Sequence, residues 1–303
     1  MKKVLRHLGL AIGLAGLVFV TFEITRSWTA VAEAASRANH AGVIAGLALG
    51  CVGMVVLALG WRKSLDLLGA RIPALDALYR YFVGELGKYV PGGVWSVLGR
   101  SEMARKAGTS GVTSYVGTIL SLSTAYLAAV AVGSLALIGG GASGARNVWL
   151  PAVGLLPIGL VALHPRILEP ALSFLKRLSR LDIELQVPSW GESVGLVIRQ
   201  LPAWLAIGAA TWIIAFSLDE PSPGLTDILF ATTVSWIAGL LALPVPGGIG
   251  VREAVFVSVA TTLSSTGIAA AVALTARLVF VTVDLLAAGL FAVLKRRQML
   301  GMS

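Results

Sequence analysis

Val-Pro-Gly-Gly occurs twice in this chain, at residues 90–93 and 245–248, and each copy interrupts a membrane-length apolar region. Proline removes a backbone donor and paired glycines remove helix preference, so each copy breaks a helix. Broken backbone at membrane depth is tolerated only where protein or a watery cavity surrounds it. Two broken segments in corresponding halves of one chain are the pattern of a transporter-like site near the bilayer midplane. Pro91, Gly92 and Gly93 form the first break; Pro246, Gly247 and Gly248 form the second.

The chain is 56% hydrophobic and 13% charged, with a mean hydropathy of +0.85. Soluble domains carry roughly a quarter charged residues, so this is a polytopic, all-α membrane protein in a single domain, 1–303. The net charge of +9 collects in short loops. That is the positive-inside pattern and a surface for anionic headgroups; it is not the footprint of a nucleic-acid binder. The lone Cys51 excludes a disulfide framework. His7, His40 and His164 lack metal-ligand spacing, and no cofactor or metal is expected. No GxxxxGK[ST] loop is present, so energy would come from a gradient or from substrate supply.

Full spans are expected at 7–22, 41–60, 111–138, 147–164, 193–217 and 267–293. A signal peptide ending near Ala30-Val31-Ala32 competes for the first, though Glu23 and Arg26 make a poor approach to such a site. The apolar stretches of 64–106 are too short to cross, which suggests a re-entrant hairpin about the first break. Residues 226–264 admit two readings, a second hairpin or two crossings. The segment 166–181 reads as a basic amphipathic helix, either lipid-facing or a plain connector. Basic residues then place both termini in the cytoplasm of a cell-membrane protein. The hairpins enter from opposite sides, giving an inverted repeat of about 1–138 and 147–297.

Arg277 and Asp284 stand in the last span, seven apart, hence on one face and ~10.5 Å apart along the axis. They are too distant to pair, so each needs a partner elsewhere. Intramembrane charges normally face a cavity or a partner. The competing reading is a structural ion pair. Thr275 and Thr282 are placed on the same face. Glu85, Lys88, Tyr89, Trp95 and Arg100 cluster at the first break, and Arg252 and Glu253 follow the second. Glycine turns that open helices favour anions, and arginine grips phosphate bidentately. The substrate expected is therefore a lipid with an anionic, phosphate-bearing headgroup. Interface anchoring is the alternative role for Arg100 and Arg252, and Arg199 is expected to snorkel. Trp204, Trp212 and Trp236 read as interface or packing residues. Gly9-x-x-x-Gly13 and Gly46-x-x-x-Gly50 suit close helix contacts.

KYVPGGVWSVLGR and PVPGGIGVREAVF resemble the two hallmark motifs of the lysylphosphatidylglycerol synthase transmembrane-region family, and the similarity covers essentially the whole chain. Lys88, Tyr89, Pro91, Gly92, Trp95 and Arg100 fall on the first motif. Pro244, Gly247, Gly248, Gly250 and Glu253 fall on the second, and Arg277 on the family's late arginine. One departure concerns the acid that many members carry in the helix after the first motif. Here only Ser121, Ser123, Thr124 and Tyr126 are available. Either Asp284 takes that acid's place beside the late arginine or the coupling differs.

The resemblance implies movement of a lipid between leaflets: phospholipid, aminoacyl-phospholipid, glycolipid or polyprenyl-phosphate. Arg277, Arg100 and Arg252 would neutralise the phosphate, while Glu85, Glu253 and Asp284 would balance charge or carry protons. In bifunctional members this domain precedes a soluble aminoacyl-transferase domain; the chain stops soon after its last span, so synthase activity is not expected here. An enzyme is disfavoured in any case, because no nucleophile–base pair is apparent. The rival function is a non-transporting partner of a glycosyltransferase or lipid-modifying enzyme. Protein partners would be such an enzyme or a second copy of the chain.

Overall fold

The computed structural model describes residues 38–90, 94–141, 146–170, 186–218, 223–242, 245–260 and 266–300, with isolated positions 29, 36, 173 and 263. All regular structure among them is helical: α1 His40–Leu67, α2 Ala74–Glu85, α3 Trp95–Arg105, α4 Gly111–Ile138, α5 Arg146–Trp149, α6 Leu155–Ala162, α7 Trp190–Ser217, α8 Leu225–Leu241, α9 Val251–Val259 and α10 Thr266–Leu300. Single 3-10 turns cover Leu86–Tyr89, Leu150–Gly154 and Pro246–Gly248. Four helices, α1, α4, α7 and α10, are long and apolar enough to cross a membrane. The expected span at 7–22, the Gly9–Gly13 pair and most of the basic segment 166–181 lie outside the described residues; of the last, 165–170 is helical.

Local chemistry sets the helix starts. Asn39 accepts the Ala41 N–H at 3.1 Å to open α1, and Ser110 accepts that of Thr113 at 3.1 Å to open α4. Ser189 and Glu192 form a reciprocal capping box at α7. The expected span 147–164 emerges as α5 and α6 joined by the 3-10 turn that begins at Leu150-Pro151. Its apolar helical stretch, Leu150–Ala162, is shorter than the ~20 residues of a crossing. At nine residues α9 is about 13 Å long, also too short to cross as a helix. It packs back on α8, and α2 packs on α3 in the same manner.

The most extensive helix contact joins α1 to α7, which run antiparallel. Its basis is glycine at every seventh position of α1. A methyl group on Gly46 would lie 2.9 Å from Ile214, on Gly53 2.8 Å from Ile207, and on Gly60 2.9 Å from Gln200. Those α7 partners are themselves seven apart, so the two backbones approach along one line. Gly50, paired with Gly46 in the sequence reading, instead faces Phe280 of α10. Buried aromatics fill the remaining space with their polar handles satisfied: Trp61 Nε1 donates to Thr118 Oγ1 at 3.0 Å, and Trp204 Nε1 to the Ala125 carbonyl at 2.6 Å.

Among the described residues, Arg62, Arg80 and Lys295 gather at one end of the bundle. There Lys295 pairs with Asp76 at 3.2 Å, Arg80 with Asp76 at 2.9 Å, and Arg62 donates to the Ile72 carbonyl at 2.7 Å. The opposite end holds the start of α1 beside the end of α7, where Asn39 N–H donates to the Ser217 carbonyl at 2.8 Å. Arg199 is exposed on α7, as a snorkelling residue should be.

The glycine line yields a paired expectation. Gly53→Ala should destabilise the protein by about 1–3 kcal/mol, because Ala203 O, 3.0 Å from the new methyl, belongs to rigid backbone. Gly195→Ala on α7 meets nothing within 4 Å and should be neutral or stabilising by up to about 1 kcal/mol. Thermal unfolding of both variants in detergent checks this; equal losses would contradict it.

Candidate functional site

Three glycines make the first break compact. Residues 84, 87 and 99 lie where α2, its terminal 3-10 turn and α3 cross. A methyl on Gly84 would sit 2.7 Å from the Arg100 nitrogen, on Gly87 2.6 Å from the Trp95 carbonyl, and on Gly99 2.8 Å from the Gly84 carbonyl. This approach lays Arg100 beside Glu85 and turns Lys88 and Tyr89 towards α10. Pro91, Gly92 and Gly93 themselves lie outside the described residues.

The second break has Gly247 and Gly248 at φ 54° and 66°, followed by Gly250 at φ 79°. These left-handed conformations are strained for any residue with a Cβ. Gly248 also lies against Gly239 of α8, where its own methyl would come within 2.5 Å of the Gly239 Cα. The turn ends when Gly250 N–H donates to Glu253 Oε2 at 2.6 Å, which caps α9 and fixes the glutamate. The 3-10 turns of the two breaks are in contact.

Two charge networks meet between these turns, and both are anchored on α10. Asp284 is fully buried; its Oδ2 accepts from Lys88 Nζ at 2.7 Å and from Tyr89 Oη at 2.5 Å. Lys88 is shared with Glu85 at 3.4 Å, and Glu85 in turn lies 3.4 Å from Arg100. Two turns away, Arg277 donates to Glu253 Oε1 at 2.6 Å and to the Gly247 carbonyl at 3.4 Å. Arg252 differs from the other cations. Its guanidinium lies 3.9 Å from the centre of the Trp236 ring and forms no ion pair among the described residues.

The networks enclose a cavity of ≈ 90 Å³. Glu85, Lys88, Tyr89, Arg100, Gly247, Gly248, Arg252 and Arg277 line it, as the sequence reading placed them. Glu253 stands behind Arg277, and Asp284 lies beneath Lys88. Trp95 does not line the cavity and is 42% exposed, because α3 turns only its Ser96–Arg100 face inward. Thr275 and Thr282 also stay off its wall: two residues along a helix is a rotation of about 200°, so they lie opposite Arg277 and Asp284. Asp284 does not take the missing acid's place beside Arg277, since Glu253 does so. Trp236, read as packing, forms part of the wall with Tyr126, Ser96 and Gly239. Its only signal was its place on the helix leading into the second break.

The lining residues with Asp284 and Glu253 comprise four cations and three acids, which leaves one positive charge in excess. Asp284 Oδ1 is buried without a hydrogen-bond partner. An arginine fork presents donors in the geometry that carboxylate and phosphate oxygens accept bidentately.

A protein-family model described as the lysylphosphatidylglycerol synthase TM region matches residues 7–288. No curated protein is similar enough to count as a match.

Glu253 holds both a cap and a partly buried ion pair, and the two separate by substitution. Glu253→Ala should lose the pair and the cap, costing up to about 3 kcal/mol for the Arg277 charge left without its partner and ~1 kcal/mol for the cap. Glu253→Gln retains an acceptor for Gly250 N–H and should unfold between Glu253→Ala and wild type in a thermal melt. Identical melting of the two variants would show that only the charge matters.

Proposed function

Because the chain belongs to the lysylphosphatidylglycerol synthase TM-region family, we propose that it moves a phosphate-bearing lipid between leaflets through the cavity between the two breaks. The observation that carries this reading is Arg252, a cation at the cavity wall that rests on an aromatic ring and forms no ion pair among the described residues, its neighbour Glu253 being taken by Arg277. Lys88, Arg100 and Arg277 each have a carboxylate partner. An entering phosphate supplies the counter-charge that Arg252 lacks and then competes with the carboxylates for the other three. The acyl or prenyl tails remain in lipid while the headgroup occupies the polar chamber.

The same reading gives the breaks their mechanical part. Each short helix pair, α2–α3 and α8–α9, is a re-entrant hairpin, and the two enter from opposite faces as an inverted repeat. The basic end of the bundle lies in the cytoplasm of a cell-membrane protein. Rocking of the hairpins about α10 would open the chamber to one leaflet and then the other. Anionic headgroup binding loosens the contacts of Lys88 with Asp284 and of Arg277 with Glu253, which are the contacts that hold the breaks to α10.

Arg252 permits a clean test, since its removal strands no buried carboxylate. Arg252→Gln should melt within a few degrees of wild type yet lose at least about tenfold in lipid movement, the loss of one charged contact. Arg252→Lys should recover part of the rate, because a point charge cannot reproduce a planar fork. The measurement is headgroup accessibility of labelled phosphatidylglycerol in liposomes carrying the full chain. Undiminished movement by a well-folded Arg252→Gln protein would remove the phosphate contact. A wild-type protein that moves no lipid but holds an enzyme in a stable complex would favour the role of a non-transporting partner.

A further inference from the structure

A second, smaller cavity of ≈ 20 Å³ lies beyond the first. Trp236, Arg252, Arg277 and Phe280 line both, so these four side chains form the partition between them. On the far side are three hydroxyls, Thr211 of α7 and Thr232 and Ser235 of α8, together with the Glu253 carboxylate, whose charge Arg277 matches at 2.6 Å. The volume exceeds the 10–15 Å³ that a water needs, so the chamber is wettable. Its polarity is unusual for helices otherwise filled with Ala, Ile and Leu.

The hydroxyls differ in their commitments. Thr211 donates to the Ile207 carbonyl at 3.0 Å and Ser235 to the Thr232 carbonyl at 2.8 Å. Thr232 is 2% exposed and its Oγ1 has no hydrogen-bond partner. A buried hydroxyl without a partner costs stability, so its presence asks for a ligand.

Position along the helices gives the second argument. On α8 the small chamber touches 232–236 and the large one 236–242; on α10 the corresponding positions are 273–280 and 277–281. Both helices therefore pass from the small chamber to the large one as the chain runs towards the basic end. The two chambers are stacked along the bundle, with roughly 10 Å from Thr232 to Gly239 at 1.5 Å per residue. The small chamber lies on the side where α1 starts and α7 ends, away from Lys295 and Asp76.

We propose that this hydroxyl-lined chamber is a second station for the phosphate group, reached when the Arg252 guanidinium leaves the Trp236 ring. The inference rests on the transport reading above. Arg252 is the movable part of the partition because its guanidinium rests on an aromatic face and makes no ion pair among the described residues, whereas Arg277 is tied to Glu253 and Gly247. Swinging away, it opens the wall between the two chambers. Thr232 then donates its uncommitted hydroxyl proton to a phosphate oxygen, and Thr211 and Ser235 are within one rotamer change of doing so. The chamber widens by the volume that the departing guanidinium vacates.

Thr232→Val tests this, since valine keeps the shape and removes only the unpartnered hydroxyl. A purely structural Thr232 would make that change neutral or stabilising. The full chain is reconstituted in phosphatidylcholine vesicles containing head-labelled phosphatidylglycerol. Retention of that lipid by the detergent-solubilised protein and the melting curve are measured beside movement. The result expected is unchanged melting, lipid retention within about twofold of wild type, and movement slowed about tenfold, the loss of one hydrogen bond to a charged group. Thr232→Val moving lipid as fast as a competent wild type would overturn the second station and leave the transport reading standing. Wild type retaining lipid but moving none would overturn both. A defect confined to uptake of inorganic phosphate would overturn the assignment to a lipid headgroup.

Discussion

A carboxylate with no exposed surface, Asp284, sets the terms for everything around it. In a membrane interior such a charge must be matched, since breaking a buried pair costs about 3–5 kcal/mol. Its partners, Lys88 and Tyr89, come from the far end of the sequence, 195 positions away in the case of Tyr89. They reach it only because α2 ends in a 3-10 turn and the chain breaks instead of continuing as a helix. The break, the glycine crossing of α2 with α3, and the depth of Lys88 all follow from the demand of one buried acid.

The seven-residue step along α10 then links this demand to the second break. Asp284 holds the first break, and Arg277, two turns earlier on the same face, holds the second through Glu253 and the Gly247 carbonyl. One helix thus carries a negative anchor for the basic α2–α3 pair and a positive anchor for the α8–α9 pair, whose α9 is capped by glutamate. The interfaces differ in chemistry. The α1–α7 contact is glycine-lined and closely packed. The contacts of the two breaks with α10 run through charged side chains.

The helical membrane character and the charged residues that gather beside the two breaks were legible from hydropathy and from proline and glycine placement. Partnerships across space were not. Seven-residue spacing showed that Arg277 and Asp284 could not pair, but Glu253 and Lys88 emerge as their partners only from the packing of short helices. Trp236 reads from sequence as an interface or packing residue because an aromatic side chain on an apolar helix looks alike whether it packs or supports a guanidinium. Thr275 and Thr282 were misplaced by arithmetic that the helix itself corrects, and Trp95 by proximity in sequence to a motif whose inward face begins one residue later. The span expected at 147–164 carried enough apolar residues, yet the 3-10 turn at Pro151 divides it.

The central claim is that the first break is held against α10 by the Lys88–Asp284 pair, and a double-mutant cycle measures it most directly. Lys88→Met, Asp284→Leu and the double variant are purified in one detergent and melted side by side. Lys88→Met strands the fully buried Asp284 and should lower stability by about 3–5 kcal/mol; Asp284→Leu leaves the partly buried Lys88 with Glu85 alone and should cost less; the double change removes both charges and should melt close to wild type, above Lys88→Met. Additive losses, with the double variant the least stable of the three, would contradict the pairing and with it the assembly of the two breaks around α10.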